Sequence, residues 1–229
     1  MSSANNTDDY SFSFCRAEWF GKIHCNFSGS CGISGLCVDC VYINADYCAK
    51  SNPEIAIMPD GVTRSRLAWE ETERQFEEML SSDVCFAWGT VFSHESRLMF
   101  MDRAKAAGYR IRLVYVMTKS PEINVARVQK RVEAGGHAVP EEKIRSRYER
   151  SVSFLPEMIL SADEALVYDN SYDGCEPLLV FQKGGDAAAK PECVMVNREV
   201  MEEEVYQWVF RYVVRPLWDR DVLITIPAE

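Results

Sequence analysis

The segment from residue 109 to residue 151 constrains the fold of this chain most, because it reads in order as a strand, a helix, a glycine break and a second helix. Residues 111–117 are apolar at nearly every position and rich in β-branched side chains, which predicts a buried strand. Residues 120–122, Ser-Pro-Glu, supply an N-cap, a proline at the first helical position and an early acid. The Gly-Gly pair at 135–136 ends this helix, and Val-Pro at 139–140 begins the next one.

The two predicted helices and the turn between them are rich in cationic side chains. These are Arg127, Lys130, Arg131, His137, Lys143, Arg145, Arg147 and Arg150. Such a run is typical either of a lid that binds phosphate groups or of a solvated basic face, and charge alone leaves both interpretations open. The formal net charge of the whole chain is −10, which argues against a general nucleic-acid binder, so the basic stretch suits a small anionic ligand better than a polymer.

Length and composition predict one globular domain with elaborations. The chain has 229 residues, of which 47% are hydrophobic and 26% are charged, enough for a full core. No apolar run approaches the roughly 18 residues of a membrane span. Residues 1–10 lack the charged and apolar regions of a signal peptide, so we expect a cytoplasmic protein with no membrane partner.

Strand-like and helix-like patterns alternate along most of the chain. Besides the segment above, strands are predicted at 40–44, 84–88, 165–168, 178–182 and 222–226, and helices at 63–81, 93–107 and 200–214. This alternation predicts an α/β fold with a doubly wound, mainly parallel sheet, whose ligands bind at the carboxyl ends of the strands. We divide the chain into an irregular N-terminal segment at 1–39, a central domain at 40–184 and a C-terminal helix and edge-strand extension at 185–229.

Cysteines are concentrated in the N-terminal segment. Five of the nine are Cys15, Cys25, Cys31, Cys37 and Cys40. A disulfide scaffold is not expected without a signal peptide. A zinc site that combines some of them with His24 would need paired C-x-x-C motifs, and spacings of nine, five, five and two residues do not supply them. We therefore predict no metal site formed by the protein alone.

A long motif at 131–151, R-V-x-x-G-G-H-x-V-P-x-x-x-I-x-x-R-Y-x-R-S, together with Y-I-N-A-D at 42–46, resembles the zeta-toxin-like P-loop kinase family. The resemblance covers residues 40–184. It implies a P-loop kinase fold and the transfer of a phosphoryl group from ATP or GTP, with Mg²⁺, to a hydroxyl of a small substrate. In true zeta toxins this substrate is a UDP-linked amino sugar. The resemblance also brings in an antitoxin-like protein as a candidate partner.

The resemblance assigns roles to individual residues. Asp46, just past a predicted strand, matches the base that positions or deprotonates the acceptor hydroxyl, although its position alone fits a loop-capping residue equally well. Arg131 and Arg147 match the lid positions, where planar guanidinium groups bind phosphate oxygens. Thr90 matches a substrate-binding threonine at the end of a strand. Asp169 is interpreted as a strand end and not as a nucleotide contact.

The chain departs from the family in two places. The family has a glutamate before the threonine of the strand-end run, and this chain has Gly89. The second departure is larger, because the chain contains no G-x-x-x-x-G-K-[ST] motif to cradle phosphates and hold magnesium. Gly21 and Lys22 fall at the second glycine and the lysine of that motif, but beside Phe20 and Ile23 they predict at most a vestigial nucleotide site.

The N-terminal segment suggests how the motif was lost. Residues 15–25, CRAEWFGKIHC, can be encoded by codons that read AGPNGSGKST after the loss of one base. The tryptophan codon has no synonym, and in the shifted frame it supplies the middle glycine. Our hypothesis is that the chain from Ser11 to a point before Cys40 is an out-of-frame reading of a P-loop; the alternative is a coincidental fit of a degenerate code to an expected motif.

Two functional interpretations follow from these departures. In the first, the chain is a zeta-toxin-like kinase with impaired activity. In the second, it is an inactive remnant that acts at most as a protein-binding scaffold. Either way, losing the first strand would remove the central strand of a parallel sheet and expose the edges of its neighbours, so we expect poor solubility.

Overall fold

The computed structural model describes residues 10–16, 40–82, 84–135, 138–184, 194–196 and 204–225. Its strands are β1 (Tyr10–Arg16), β2 (Val41–Asn44), β3 (Phe86–Thr90), β4 (Tyr109–Met117), β5 (Glu164–Asp169), β6 (Leu178–Lys183), β7 (Val194–Val196) and β8 (Ile224–Thr225). Its helices are α1 (Ala45–Ser51), α2 (Pro53–Ala56), α3 (Gly61–Ser82), α4 (Ser96–Ala106), α5 (Pro121–Glu133), α6 (Glu141–Ser161), α7 (Glu204–Val209) and α8 (Arg215–Trp218), with a π-helical turn at Phe210–Val214 between the last two. Strands and helices combine as predicted, so the α/β class is confirmed.

β1 is a central strand of the sheet, and it runs against both of its neighbours. The strand order is β2-β3-β1-β4-β5-β6-β7-β8. β1 pairs antiparallel with β3 and β4, whereas β2–β3 and β4–β5 are parallel pairs. β2, β3, β4 and β5 therefore share one direction. Their carboxyl ends, at Asn44, Thr90, Met117 and Asp169, form one edge of the sheet, which we call the carboxyl edge.

The sequence predicts a mainly parallel sheet, whereas the observed sheet is mixed. In addition to β1, strand β6 is antiparallel to both of its neighbours, β5 and β7. The last two strands, β7 and β8, pair parallel. β1 lies in the segment predicted to be irregular, and β7 and β8 lie in the predicted C-terminal extension, so all three predicted segments contribute strands. Because β1 occupies the place between β3 and β4, those two strands do not present the open edges expected from a lost central strand.

Most of the apolar core lies on one face of the sheet. One cluster of buried side chains combines β3, β4 and β5 with α3, α4, α6 and the C-terminal helices. Phe76, Trp88 and Phe100 form an aromatic group within it, with ring centroids 4.8, 4.9 and 5.2 Å apart. A separate, smaller cluster contains Val114 and Val116 of β4, and no helix of the described ranges contributes to it. The described core helices thus cover one face, whereas a doubly wound sheet carries helices on both.

The long helix α3 begins slightly earlier than its sequence predicts. Asp60 caps it, because its two carboxylate oxygens accept hydrogen bonds from the backbone N–H groups of Val62 at 3.2 Å and Thr63 at 2.7 Å. Thr63, at which the sequence predicts the helix to begin, lies inside the helix and is not its cap. A side-chain hydrogen bond with Thr63, together with these backbone bonds, stabilises the charged carboxylate and lowers the pKa of Asp60. Phe76 of this helix is fully buried.

Lys183 joins the end of β6 to the end of α6. Its ammonium group donates to the backbone carbonyls of Ile159 at 2.8 Å, Leu160 at 3.0 Å and Ala162 at 2.6 Å. Burial, together with the charge of Lys105, lowers the pKa of Lys183 to about 8, so the side chain is still mainly charged at pH 7. The last carbonyls of a helix have no intrahelical partner, and Lys183 supplies one for three of them.

Replacing Lys183 with methionine is expected to destabilise the protein. Lys183→Met keeps a long side chain but leaves the three carbonyls without their donor, so the free energy of unfolding should fall by about 2–4 kcal/mol. Urea denaturation at pH 7 measures the difference. The matched control is Lys105→Met, at an exposed position, which should stay within about 0.5 kcal/mol of wild type. Equal stability of the two variants would show that Lys183 does not hold the end of α6.

Candidate functional site

The residues that the sequence singles out lie at the ends of β2 and β3 or on the two helices between β4 and β5. Asp46 lies in the first turn of α1, directly after β2, and Thr90 is the last residue of β3. Arg131 lies on α5, which follows β4, and Arg147 lies on α6. Neighbouring strands are about 4.8 Å apart, so β2 and β4, three steps apart in the sheet, are separated by roughly 14 Å. We call the ends of β2 and β3 the Asp46 side of the carboxyl edge, and α5, α6 and the loops after β4 and β5 the arginine side.

Asn44 organises the Asp46 side. It is 8% exposed and caps α1, its side-chain oxygen accepting from the backbone N–H groups of Asp46 at 2.8 Å and Tyr47 at 3.1 Å. Its amide nitrogen donates to the carbonyl of Gly89 at 3.2 Å and to the Tyr42 hydroxyl at 3.3 Å. One buried side chain therefore fixes the start of α1 relative to the end of β3. An asparagine at the end of a predicted strand is a recognisable helix cap, and the sequence signal for this role was present.

Asp46 itself is exposed at the start of α1. Because Asn44 is the capping residue, the interpretation of Asp46 as a loop cap does not apply. An exposed carboxylate on a backbone held by Asn44 can accept a proton from a ligand hydroxyl. Thr90, at the end of the neighbouring strand, is half-buried, and its hydroxyl makes no hydrogen bond to any residue that the structure describes.

Gly89 lies against the Tyr42 side chain. A Cβ atom added at Gly89 would lie 2.0 Å from the Tyr42 hydroxyl oxygen, 2.8 Å from its ring carbon Cζ and 3.1 Å from Nδ2 of Asn44. The space that a side chain at position 89 would occupy is thus filled by the end of Tyr42. The sequence marks Gly89 as a departure from the resembled family, but nothing local to it indicates Tyr42, since the two residues meet only through the parallel pairing of β2 and β3.

Several cations of the arginine side are already neutralised by carboxylates. Asp173, in the loop after β5, accepts from Arg127 at 2.9 and 3.0 Å and from Lys130 at 2.9 Å. These two cations, Lys130 most strongly, lower the pKa of Asp173. Arg145 in turn pairs with two glutamates, on α5 and on its own helix. Asp173 was not predicted as a site residue, because a carboxylate in a turn carries no local sign of a partner on α5.

Arg147 differs from these cations. It is half-buried on α6, and the described part of the chain offers its guanidinium group no hydrogen bond or ion pair. The next residue, Tyr148, donates its hydroxyl proton to the carbonyl of Thr118 at 2.9 Å, which ties this part of α6 to the end of β4. Arg131 is also half-buried, on α5. Arg147 is therefore a cation held beside the carboxyl edge with its charge available to an anion.

The loops after β4 and β5 are joined by hydrogen bonds. Asp169 ends β5, as its sequence predicts, and its carboxylate accepts from the backbone N–H of Ser171 at 2.7 Å and from the Ser171 hydroxyl. The indole N–H of Trp208 donates to the other carboxylate oxygen at 3.4 Å. The Ser171 hydroxyl oxygen accepts from the backbone N–H of Lys119 at 2.8 Å. The hydrogen bonds of the Asp169 carboxylate therefore hold the loop after β5 in place.

Some predicted site residues lie outside the residues that the structure describes. They are Gly21 and Lys22, together with Gly136 and His137 of the turn between α5 and α6. β1 ends at Arg16, which pairs with Tyr109 at the amino end of β4, on the edge of the sheet opposite to Asp46. In the described ranges no group of three or more Cys, His, Asp or Glu side chains is arranged to hold a metal ion. None of the helices in those ranges is long and apolar enough to cross a membrane.

Comparison with known proteins does not assign the chain to a family. No family model matches it, and no solved structure matches it. It is similar to a curated Haemophilus influenzae protein named only "Uncharacterized protein", with 32% identity over 73 residues that make up 32% of this chain and 52% of that protein. The chain thus spans about half the length of the curated relative that it matches.

A methyl group at position 89 is expected to disturb the Asp46 side. Gly89→Ala should lower the free energy of unfolding by about 1 kcal/mol, because the added carbon overlaps the Tyr42 hydroxyl and the exposed phenol must move aside. A double-mutant cycle with Tyr42→Ala tests the cause. The cost of Gly89→Ala should largely disappear in the Tyr42→Ala background, since the overlapping atoms are then absent.

The matched control is Gly61→Ala, at the start of α3, where an added Cβ meets no atom within 4 Å. This variant should be as stable as wild type or slightly more stable, because alanine favours helix. Urea denaturation of the four variants gives the cycle and its control. A cost of Gly89→Ala that persists in the Tyr42→Ala background would contradict the contact between positions 42 and 89.

Proposed function

We propose that this chain is a zeta-toxin-like kinase with an impaired nucleotide site. Its reaction is the transfer of a phosphoryl group from ATP or GTP, with Mg²⁺, to a hydroxyl of a small substrate such as a nucleotide sugar. Asp46 acts as the base, Arg131 and Arg147 bind the transferring phosphate, and Thr90 contacts the substrate. The proposal includes derivation from a P-loop kinase fold, whose central strand would have to be reversed to give the mixed sheet of this chain.

Arg147 is the observation that carries this proposal. Among the cations of α5 and α6, Arg127, Lys130 and Arg145 have carboxylate partners, whereas Arg147 has none in the described ranges although it is half-buried. A half-buried guanidinium without a counterion is costly for the protein alone, and a phosphate group would satisfy it with two parallel hydrogen bonds. This supports an anion-binding role in preference to a solvated basic face.

The Asp46 side supplies the second requirement of phosphoryl transfer. The reaction needs a carboxylate to orient or deprotonate the acceptor hydroxyl, opposite the cations that hold the phosphate. Asp46 is an exposed carboxylate directly after β2, and α5 begins four residues after β4, about 14 Å from β2 by strand spacing.

The direction of β1 supports impairment. A phosphate-binding loop follows the carboxyl end of its strand and leads into a helix, so this end must lie at the edge where the ligand binds. In this chain the amino end of β1, Tyr10, pairs with Thr90 at the carboxyl edge, and its carboxyl end, Arg16, lies at the opposite edge.

The same direction favours a second candidate function. With β1 reversed, the sheet keeps its core, but the loop after β1 no longer lies where it could bind the phosphates of a nucleotide. A folded chain without a nucleotide site fits a remnant that binds a protein partner. An antitoxin-like protein is the partner that the resemblance implies. Loss of all phosphate binding, with the fold retained, is the outcome that this alternative predicts.

Substitution of Arg147 should weaken binding of a polyphosphate. The probe is inorganic tripolyphosphate, which presents phosphate groups without requiring a nucleotide pocket. Arg147→Met should raise its dissociation constant about tenfold or more, the effect of losing a charge-assisted hydrogen-bonded pair. Isothermal titration calorimetry at low salt measures both proteins.

Arg150→Met is the matched control on the same helix, at an exposed arginine without an ion pair in the described ranges. It removes the same charge and should change the dissociation constant less than about twofold, because exposed charges contribute little. If both substitutions raised the dissociation constant equally, tripolyphosphate would be attracted only by the net charge of α6 and not bound by Arg147 in particular. Absence of tripolyphosphate binding by the wild-type chain would favour the scaffold.

Restoring the P-loop should restore nucleotide binding. The restored variant replaces residues 12–24 with LVFAGPNGSGKST, so that β1 is also changed to the strand of the shifted frame and can turn its carboxyl end to the carboxyl edge; Gly21 and Lys22 stay in place as the glycine and lysine of the motif. It should bind ATP or GTP with micromolar affinity and only with Mg²⁺, whereas the wild-type chain binds weakly or not at all. Lys22→Ala in the restored variant is the control and should abolish the gain.

A restored variant that keeps the circular dichroism of the wild type but gains no nucleotide binding would overturn the kinase assignment. Sequencing of the coding DNA across codons 10–42 tests the out-of-frame hypothesis without any folding requirement. We expect that removal of one base makes the DNA spell the motif. Codons that spell it in no frame would show that the N-terminal segment has another origin.

A further inference from the structure

Arg97, in the first turn of α4, is a half-buried cation without a counterion in the described chain. The Cζ atom of its guanidinium group lies 3.3 Å from the centroid of the Trp69 ring on α3. Its Nε is fully enclosed and has no hydrogen-bond acceptor, and no described residue accepts a hydrogen bond from either of its Nη groups. Burial lowers the pKa of Arg97 to about 10, so the group is still charged at pH 7. A half-buried charge in this condition is costly, which indicates a partner outside the described chain.

Two tryptophans hold the guanidinium group in one orientation. Trp69 stacks on Trp88 of β3, with ring centroids 5.5 Å apart and an angle of 25° between the ring planes. Phe100 of α4 packs edge-on against both rings. Trp88 is 2% exposed, so the stack rests on the core of the protein. A guanidinium group is attracted to the face of an aromatic ring, so Arg97 is already ordered before a ligand binds, and binding requires little further ordering of its side chain.

The surroundings of Arg97 favour a planar anion with a single charge. The backbone N–H groups of residues 96–98, which would otherwise complete a phosphate site at the start of a helix, already donate to acceptors in residues 94–95 at 3.0–3.2 Å. Glu73 of α3 is near enough for its charge to act on Arg97, although the two form no ion pair. A doubly charged phosphate would thus meet one cation and a nearby carboxylate. A carboxylate ligand has one charge and two oxygens that match the edge of the guanidinium group.

We propose that Arg97 and Trp69 form a carboxylate-binding site between α3 and α4. The carboxylate belongs either to a small organic acid or to an acidic side chain of another protein, since both present the same group. This inference does not rest on the proposed kinase function, because neither residue belongs to the machinery assigned to that reaction. It gives the chain an anion site on α3 and α4 in addition to Arg147 on α6.

The test uses succinate, a hexaglutamate peptide and inorganic phosphate as probes, compared at constant ionic strength. The enclosed Nε–H of Arg97 exchanges slowly with water, so its signal in a proton–nitrogen NMR spectrum reports binding directly. Succinate or the peptide should shift this signal. Arg97→Met should raise the dissociation constant for that probe about tenfold or more, as measured by titration calorimetry. The matched control on α4 is Arg103→Met, at an exposed arginine paired with Glu77, which should change it less than about twofold.

Two further variants separate binding from folding. Arg97→Lys keeps the charge but loses the planar fork, and it should weaken binding about threefold or more. Glu73→Gln removes the negative charge that acts on Arg97 and should tighten binding of a carboxylate about twofold. A gain of affinity cannot result from a loss of folded protein. Weaker binding by Glu73→Gln, with unchanged circular dichroism, would contradict an anion site at Arg97.

The outcomes also distinguish the two sources of the carboxylate. Binding of succinate that depends on Arg97 would show that a small acid is sufficient, whereas binding of the peptide alone would indicate a segment of a protein partner; both results support the site. Tighter binding of phosphate than of succinate at Arg97 would overturn the carboxylate class. Equal effects of Arg97→Met and Arg103→Met, or an Nε–H signal that no probe shifts, would overturn the site itself and leave the kinase proposal in place.

Discussion

The backbone N–H and C=O groups of β3 and β4 that face each other need a strand between them as hydrogen-bond partner. The arrangement of the carboxyl edge depends on the direction in which that strand, β1, runs. Buried backbone N–H and C=O groups are almost always paired, because leaving one unpaired costs about as much as a lost hydrogen bond. β1 pairs with both strands over most of its seven residues. Since a strand can satisfy its neighbours in either direction, pairing alone does not determine which end of β1 reaches the carboxyl edge. In this chain the amino end of β1 reaches the carboxyl edge, so the loop that follows β1 begins at the opposite edge.

The two sides of the carboxyl edge are each held by their own hydrogen-bonded group. On one side, Asn44 joins the start of α1 to β3. On the other, Ser171 joins the loop of β5 to the loop of β4, and Tyr148 joins α6 to Thr118. Each group joins two elements that are close in the sheet. Strand β1 lies between the two sides, so its pairing with β3 and β4 sets how far apart the sides are.

Local sequence predicted the parts of the fold that local energetics determine. The strand at 111–117 and the helix after residue 120 were found, because burial patterns and caps act within a few residues. β1 was missed although Tyr-Ser-Phe-Ser-Phe at 10–14 alternates with period two, since this short pattern lies within the segment at 1–39, which was taken as irregular as a whole. Its direction has no sequence signal at all. The contact of Tyr42 with Gly89 was equally inaccessible, because it joins residues that are distant in sequence and arises from strand pairing.

The bond between Asp173 and α5 has a consequence for any anion that approaches the arginine side. Asp173 is tethered by a short loop to β5, so its carboxylate is present at Arg127 and Lys130 at a high effective concentration. A free phosphate must compete with it at these two positions, whereas it meets no attached competitor from the described chain at Arg147. An anion that binds at Arg127 or Lys130 must therefore displace the Asp173 carboxylate, a cost that it would not meet at Arg147.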